Sequence, residues 1–422
     1  MDLPDHVSTG PSRSYRPLPP VLRVEGDWEG GAIIREIPSP VGIFLFGTYR
    51  DVMLWLLLPL DRIHRAFRVG AGDERRRMLS GIAASPELHR HLVTLVRMSD
   101  GEIERSEVGA ACGQVAAWAN AGGAPHTELA YMQAGALAEP EFIERSLRMG
   151  QLARDLAQYS RAETWFKRTI KLARIAKDRA NYVDAHLGLG TLFNRIGNGP
   201  AAKALYERAL KSARRWRLRH LAGAAHHDLF HMCVDLGDLR RAYDHARSAQ
   251  QHYGTAQQYL TRLAGDIATV WLRLGEGRRA FPIFEAVIPL VPDPGLRAVW
   301  SAQLARCAAI SGRGMIYEAV RQRALTAMVD LPISWRRAEA EAILAHADLS
   351  VGEWDRAAAS AEKALELASR IGAAELKMYA ERALVDARGQ RQAKDTDVVE
   401  PPALARMADS LASALREAVL PG

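Results

Sequence analysis

A column of alanines constrains this chain more than any other feature. Ala162, Ala202, Ala242, Ala280 and Ala357 recur at steps of 40, 40, 38 and 77 residues, the last being two units of about 38. Four residues after them lie Phe166, Tyr206, Ala246, Phe284 and Ala361. Seven after lie Thr169, Ala209, Ala249, Val287 and Ala364. Twelve before lie Gly150, Gly190, Phe230, Ala268 and Ala345. A period of this length is one helix–turn–helix unit, which cannot bury its apolar face alone and has to stack on its neighbours. The clearest copy runs from Ala185 to Lys211. Leu189, Gly190 and Phe193 fall on its first helix, Gly197, Asn198 and Gly199 in the turn, and Ala202, Tyr206 and Ala209 on its second helix. Small residues at Gly190, Ala202 and Ala209 let the two helices approach, and Phe193 and Tyr206 fill the remaining space.

Taken in order, the chain divides into five stretches. Residues 1–40 are rich in Pro and Gly and read as a disordered tail, with Ala32–Ile37 as a short extended piece. Residues 41–99 read as a helical cap: Val41 to about Leu58, where Pro59 stops the helix, then Asp61–Val69, Asp73–Ile82 and Ser85–Met98. Residues 100–388 form the repeat array, with helical hairpins predicted over 109–140, 143–178, 181–218, 221–254, 258–292, 296–329 and 335–371. The hairpin over 296–329 has the weakest pattern, with helices expected at 296–310 and 315–328. Ala373–Arg388 supplies a closing helix. Residues 389–402 are a polar linker. In 403–422, Leu404, Met407, Leu411 and Leu415 share one face of an amphipathic helix.

These residues resemble the tetratricopeptide repeat (TPR) family. The match is Leu189, Gly190, Phe193, Ala202, Tyr206 and Ala209 in one unit, and Trp271, Ala280, Phe284 and Pro292 in another. A degenerate unit carries Val115, Ala116, Met132, Gly135 and Pro140. The likeness covers about 109–371. Most units are longer than the family's repeat of about 34 residues, and Phe230 replaces a Gly. The resemblance implies an all-α, right-handed superhelical TPR-like solenoid of about seven helical hairpins with an N-terminal helical cap. It also implies a concave groove lined by the first helix of each hairpin.

By register, the inward set includes Gln151, Arg154, Thr191, Asn194, His227, His231, Thr269, Arg273 and His346. Such a polar groove suits an extended peptide, whose backbone groups need partners once desolvated. Arg154, Thr191, Asn194, Arg195, His227, Asp228, His231, Asp266 and Arg273 are the expected contacts with a protein or peptide partner. The resulting expectation is a non-enzymatic binding scaffold.

Other chemistries are weakly represented. His227 and His231 share a helix face, the spacing two metal ligands need. No Glu follows the first His in the HExxH manner and no third ligand lies at short spacing, so no metal is expected. Asp228 and Asp266 occupy equivalent positions of adjacent units, but no nucleophile accompanies them and no catalytic residue is assigned. Nothing matches GxxxxGK[ST], a strand-flanked GxGxxG, GxSxG or a CxxC pair, so no cofactor is expected.

Arg214, Arg215, Trp216, Arg217 and Arg219 form a basic run in a chain of net charge +7. Arginines beside an exposed Trp would contact phosphates and stack a base. This carries the alternative: a regulatory protein, peptide-sensing or nucleic-acid-associated, acting through the N-terminal block or this Arg-rich surface. Glu107–Ala119 faintly resembles a DNA-binding helix but reads better as the first helix of a repeat. Cys112, Cys233 and Cys307 lie among apolar neighbours on predicted helices and read as buried free thiols. Val41–Leu60 is the most apolar stretch, and Arg50 and Asp51 at its middle argue against a membrane span. No secretory signal is visible, and a cytoplasmic location is expected.

Overall fold

A computed structural model of the chain describes residues 31–57 and 70–392, apart from 83, 101, 102, 157, 330, 332, 333 and 372. It also describes positions 406, 409, 410, 413, 414 and 417. The predicted helix Asp61–Val69 and the apolar stripe Leu404, Met407, Leu411 and Leu415 lie outside the described residues.

Among the described residues every regular element is helical. Four helices come first: α1 (Gly31–Glu36), α2 (Val41–Leu57), α3 (Ala71–Ser80) and α4 (Pro86–Val96). Antiparallel pairs follow: α5 (Arg105–Ala121) with α6 (Pro125–Ala138), α7 (Ile143–Asp155) with α8 (Tyr159–Ala176), and α9 (Arg179–Arg195) with α10 (Gly199–Arg215). Next are α11 (Arg219–Asp235) with α12 (Leu239–Tyr253), and α13 (Gln257–Arg273) with α14 (Gly277–Val287). The last pairs are α15 (Pro294–Ile310) with α16 (Gly314–Met328), and α17 (Trp335–Val351) with α18 (Trp354–Arg370); α19 (Ala374–Arg388) closes the series. These are the seven predicted hairpins of a TPR-like fold, the weakly patterned one at α15–α16 included.

Local chemistry sets the helix ends. Side-chain oxygens of Asp178, Asp238, Asp293 and Ser334 accept from backbone N–H groups in the first turns of α9, α12, α15 and α17. Gly237 and Gly275, just past α11 and α13, have φ of 72° and 79°, a left-handed turn that a Cβ would strain.

The chain forms two compact units, with the boundary between Leu205 and Tyr206 inside α10. In the first unit one core joins α1–α4 to the first hairpin through Ile33, Phe44, Trp55, Leu92, Val115 and Tyr131. A second core gathers Leu147, Trp165, Phe166 and Leu189. In the second unit Phe230, Tyr243, Trp271, Phe284, Trp300 and Tyr317 lie in one continuous core.

One expectation is corrected. Residues 32–36 are helical rather than extended. Ile33 is wholly buried, and the Glu36 carboxylate accepts from the backbone N–H groups of His126 and Thr127 at 3.0 and 2.7 Å, capping α6. Burial opposes ionisation of Glu36, and these hydrogen bonds outweigh it, leaving its pKa lowered. Bare backbone is used for close packing at several glycines. A Cβ at Gly150 or Gly188 would stand 2.8 or 2.3 Å from the Phe166 ring, and one at Gly265 would stand 2.2 Å from Trp300. Aromatic rings therefore sit directly on bare backbone at these positions.

At the C-terminus, Asp409 pairs with Arg279 of α14 at 3.1 Å. Ser410 and Ala414 line a cleft with Arg247, Gln250, Gln251 and Gly254 at the end of α12. These three positions thus lie against second helices of the second unit. Among the described residues no helix is long and apolar enough to cross a membrane. All three cysteines are buried and form no disulfide, and burial pushes the Cys112 thiol up to about 12.

Candidate functional site

The second unit gathers two imidazoles and a carboxylate around one point. His227 and His231 leave the same face of α11. Asp266 comes from the middle of α13, the first helix of the next hairpin. Its Oδ2 lies 3.0 Å from His227 Nε2 and 3.3 Å from His231 Nε2. The two imidazole rings stack with centroids 5.1 Å apart and planes 17° apart. Tyr253, the last residue of α12, holds its hydroxyl 3.3 Å from His227 Nδ1. Depth is graded across the group: side-chain exposure is 10% at His227, 22% at Asp266 and 44% at His231.

Depth and charge together set the protonation. Burial opposes ionisation of Asp266, but the two imidazoles beside it prevail and hold its carboxyl well below the usual range. Burial likewise opposes protonation of His231. There the Asp266 carboxylate prevails, helped by the charges of Asp228 and Asp235, and the pKa is raised. At His227, the deeper residue, burial outweighs Asp266 and the pKa is lowered. The cluster therefore holds a neutral inner imidazole and a more basic outer one against a single carboxylate. Burial, then the charge of Asp228, raises the Tyr253 pKa, so it stays a neutral hydroxyl.

More charges join this face. Arg273 is exposed near the end of α13, two helical turns past Asp266. Glu339 of α17 pairs with Arg336 at 3.2 Å. Burial raises its pKa, against the charges of Arg336 and Arg273 and with that of Asp266. Glu339 and Tyr253 escaped the sequence reading. Glu339 lies far from Asp266 and Arg273 in the chain and Tyr253 far from His227, and only the stacking of hairpins brings them in.

The remaining expected contacts belong to the first unit. Arg154 pairs with Asp155 at 3.0 Å. Arg195 reaches the same carboxylate at 3.3 Å and donates to the Arg154 carbonyl at 3.3 Å. Thr191 Oγ1 donates to the Leu187 carbonyl of its own helix at 3.0 Å. Asn194 is partly buried on the same helix, α9. The structure gathers Arg154 and Arg195 around Asp155 in the first unit. In the second unit Asp228 is partly buried, and its charge acts on His231 and Tyr253.

The basic run is arranged differently from the expectation. Trp216 is half-buried rather than exposed, and Arg217 takes the left-handed conformation, φ 59°, that ends α10. Arg214 Nη2 lies 2.9 Å from His226 Nε2, and Arg219 Nη2 donates to the Gln251 carbonyl at 3.4 Å. Arg215 is exposed. His226 is 5% exposed, with Nδ1 2.9 Å from His245 Nδ1. Arg214 can only donate, so His226 Nε2 holds a lone pair and its Nδ1 the proton; His245 Nδ1 must then accept, and both rings are neutral. Burial, then His245, Arg214 and His252, pushes the His226 pKa down to about 4.

No family model matches the chain, and no curated protein matches it. Solved structures do resemble it. One is a signal transduction ATPase with numerous domains and a tetratricopeptide repeat sensor from Pyrococcus horikoshii, at 10% identity and a TM-score of 0.48, covering 93% of this chain and 63% of that one. Another is the Rap conjugation gene regulator of the plasmid pLS20 in complex with the Phr* peptide, at 14% identity and a TM-score of 0.44, covering 91% of this chain and 99% of that one. A third is a tetratricopeptide repeat protein from Parabacteroides merdae, at 14% identity and a TM-score of 0.40, covering 65% of this chain and 99% of that one. At these identities the likeness is one of fold alone.

Proposed function

We propose that the protein is a non-enzymatic scaffold that binds a peptide or partner helix on the face carrying His231, Asp266 and Arg273. One observation carries this reading. Three first helices, α11, α13 and α17, contribute charged groups that act on one another: Asp266 on both His231 and Glu339, and Arg273 on Glu339. Asp266 and Glu339 are already partly desolvated, and all four groups stand on helices, which lowers the cost of binding. Asp266 and Glu339 offer acceptors for peptide N–H groups, and His231 and Arg273 offer donors for carbonyls. The regulatory alternative has less support at the basic run, where Arg214 is engaged by His226 and Trp216 is half-buried.

The test uses peptides selected from a random display library on the purified full chain. Affinity for them is measured by calorimetry with wild type and with the double variant His231→Ala/Arg273→Glu. The expected result is a loss of at least ~10-fold, about 1.4 kcal/mol. Equal affinity in a folded double variant, or the failure of any peptide to be selected, contradicts the assignment.

A further inference from the structure

The His227–His231–Asp266 cluster has the donor set and spacing of a metal site. His227 Nε2, His231 Nε2 and an Asp266 carboxylate oxygen all lie within 4.8 Å of one another. Two ligands bound at about 2.0–2.1 Å to one tetrahedral zinc ion stand about 3.3 Å apart. The contacts to Asp266 Oδ2 are 3.0 and 3.3 Å, so the carboxylate already sits at coordination distance from both imidazoles.

A second observation points the same way. His227 is 8% exposed, and its buried Nε2 has no hydrogen-bond partner. Asp266 is near this nitrogen but is not aligned to accept from it. A buried ring nitrogen 3.0 Å from a carboxylate oxygen and without a hydrogen bond is costly unless an ion beside the pair binds both atoms. The ring's other nitrogen is held by Tyr253, as the non-ligating nitrogen of a metal-bound His usually is.

We propose that His227 Nε2, His231 Nε2 and Asp266 Oδ2 bind one divalent transition ion of the zinc, cobalt or nickel class. Two imidazoles and a carboxylate suit these borderline ions and disfavour calcium and magnesium, which take oxygen ligands. Three protein ligands leave a fourth tetrahedral position for water or for a carboxylate of a bound molecule. It opens on the side where His231 is 44% exposed. The α11 pair alone supplies two ligands, and the stacking of α13 on it supplies the third. This site stands whether or not a peptide binds nearby.

The experiment is Co2+ titration of the untagged full chain, read by d–d absorption and calorimetry. The expected result is one equivalent bound with a mixed nitrogen and oxygen spectrum. Tyr253→Phe should weaken it about 10-fold, and His231→Gln and Asp266→Asn should weaken it more. Circular dichroism confirms that the variants fold. Should they not, Co2+-induced shifts of histidine ring signals in wild type decide the question. Shifts at His227 and His231 support the site, and shifts confined to His226, His245 and His252 overturn it. No Co2+ binding by the wild type, or unchanged binding in folded His231→Gln and Asp266→Asn, also overturns it.

Discussion

Asp348→Ala is expected to lower the unfolding free energy by about 3–5 kcal/mol. Asp348 lies on α17 with no exposed surface. Its carboxylate accepts from Arg321 Nε at 2.7 Å and Nη2 at 3.0 Å, and from the Tyr317 hydroxyl, all on α16. Arg356 of α18 adds a contact at 3.9 Å. Three consecutive helices are therefore tied to one buried anion. Its removal leaves the Arg321 guanidinium, 11% exposed, without its counter-charge. Replacing the pair together, as Asp348→Leu/Arg321→Met, should recover much of the loss, because no uncompensated charge then remains. Denaturant midpoints of the three proteins provide the check. A loss below about 1 kcal/mol for Asp348→Ala would place this network among ordinary surface pairs.

Acidification from pH 7 to about pH 4 is expected to cost about 2–3 kcal/mol at each of two buried histidines. His226 and His346 are 5% and 8% exposed. Each is pushed down to about 4, first by burial; His245, Arg214 and His252 add to this at His226, and Arg306 and Arg382 at His346. The His346 ring also stacks on Tyr379 at 4.1 Å. An unfolded histidine titrates near about 6.5. Between these values the unfolded chain binds more protons than the native one, so stability present above about 6.5 is lost as pH falls toward 4. His231 has the opposite sign. Its raised pKa gives stability that is present at low pH and lost as pH rises through the folded value. The stability of Asp266, whose pKa is depressed, is lost only as pH falls through its low folded value. Unfolding curves at pH 7, 5.5 and 4 should show the fall, and His226→Gln/His346→Gln should flatten it. An equally steep fall in the double variant would assign the acid sensitivity to other groups.

The repeat architecture was legible because its signal is periodic. Ala162, Ala202, Ala242, Ala280 and Ala357 are all wholly buried in the structure, each where a second helix meets its partner. α1 was not legible, because six residues between Gly30 and Pro38 are too few to show a helical period. Its stability comes from Ile33 and Glu36, whose partners lie far along the chain. Gly150 stands in the repeat column, so its small size was legible. Gly188 stands outside it, although the Phe166 ring lies over both.

At the candidate site, the i,i+4 pair His227 and His231 was visible, and register aligned Asp228 with Asp266. The sequence did not reveal that Asp266 turns to the two imidazoles of the preceding hairpin. That depends on how α13 lies along α11, which no local pattern records. Glu339 and Tyr253 were hidden for the same reason. The run from Arg214 to Arg219 was visible as charge, but composition shows charge without direction. Arg214 faces His226.

A ligand on first helices of the second unit can be located by photo-crosslinking, with a selected peptide carrying a photoreactive residue and the sites mapped by mass spectrometry on the full chain. Crosslinks are expected on α11, α13 and α17 around His231, Arg273 and Glu339, competed away by unlabelled peptide. Crosslinks confined to the second helices α12 and α14, or to the first unit, would contradict this placement.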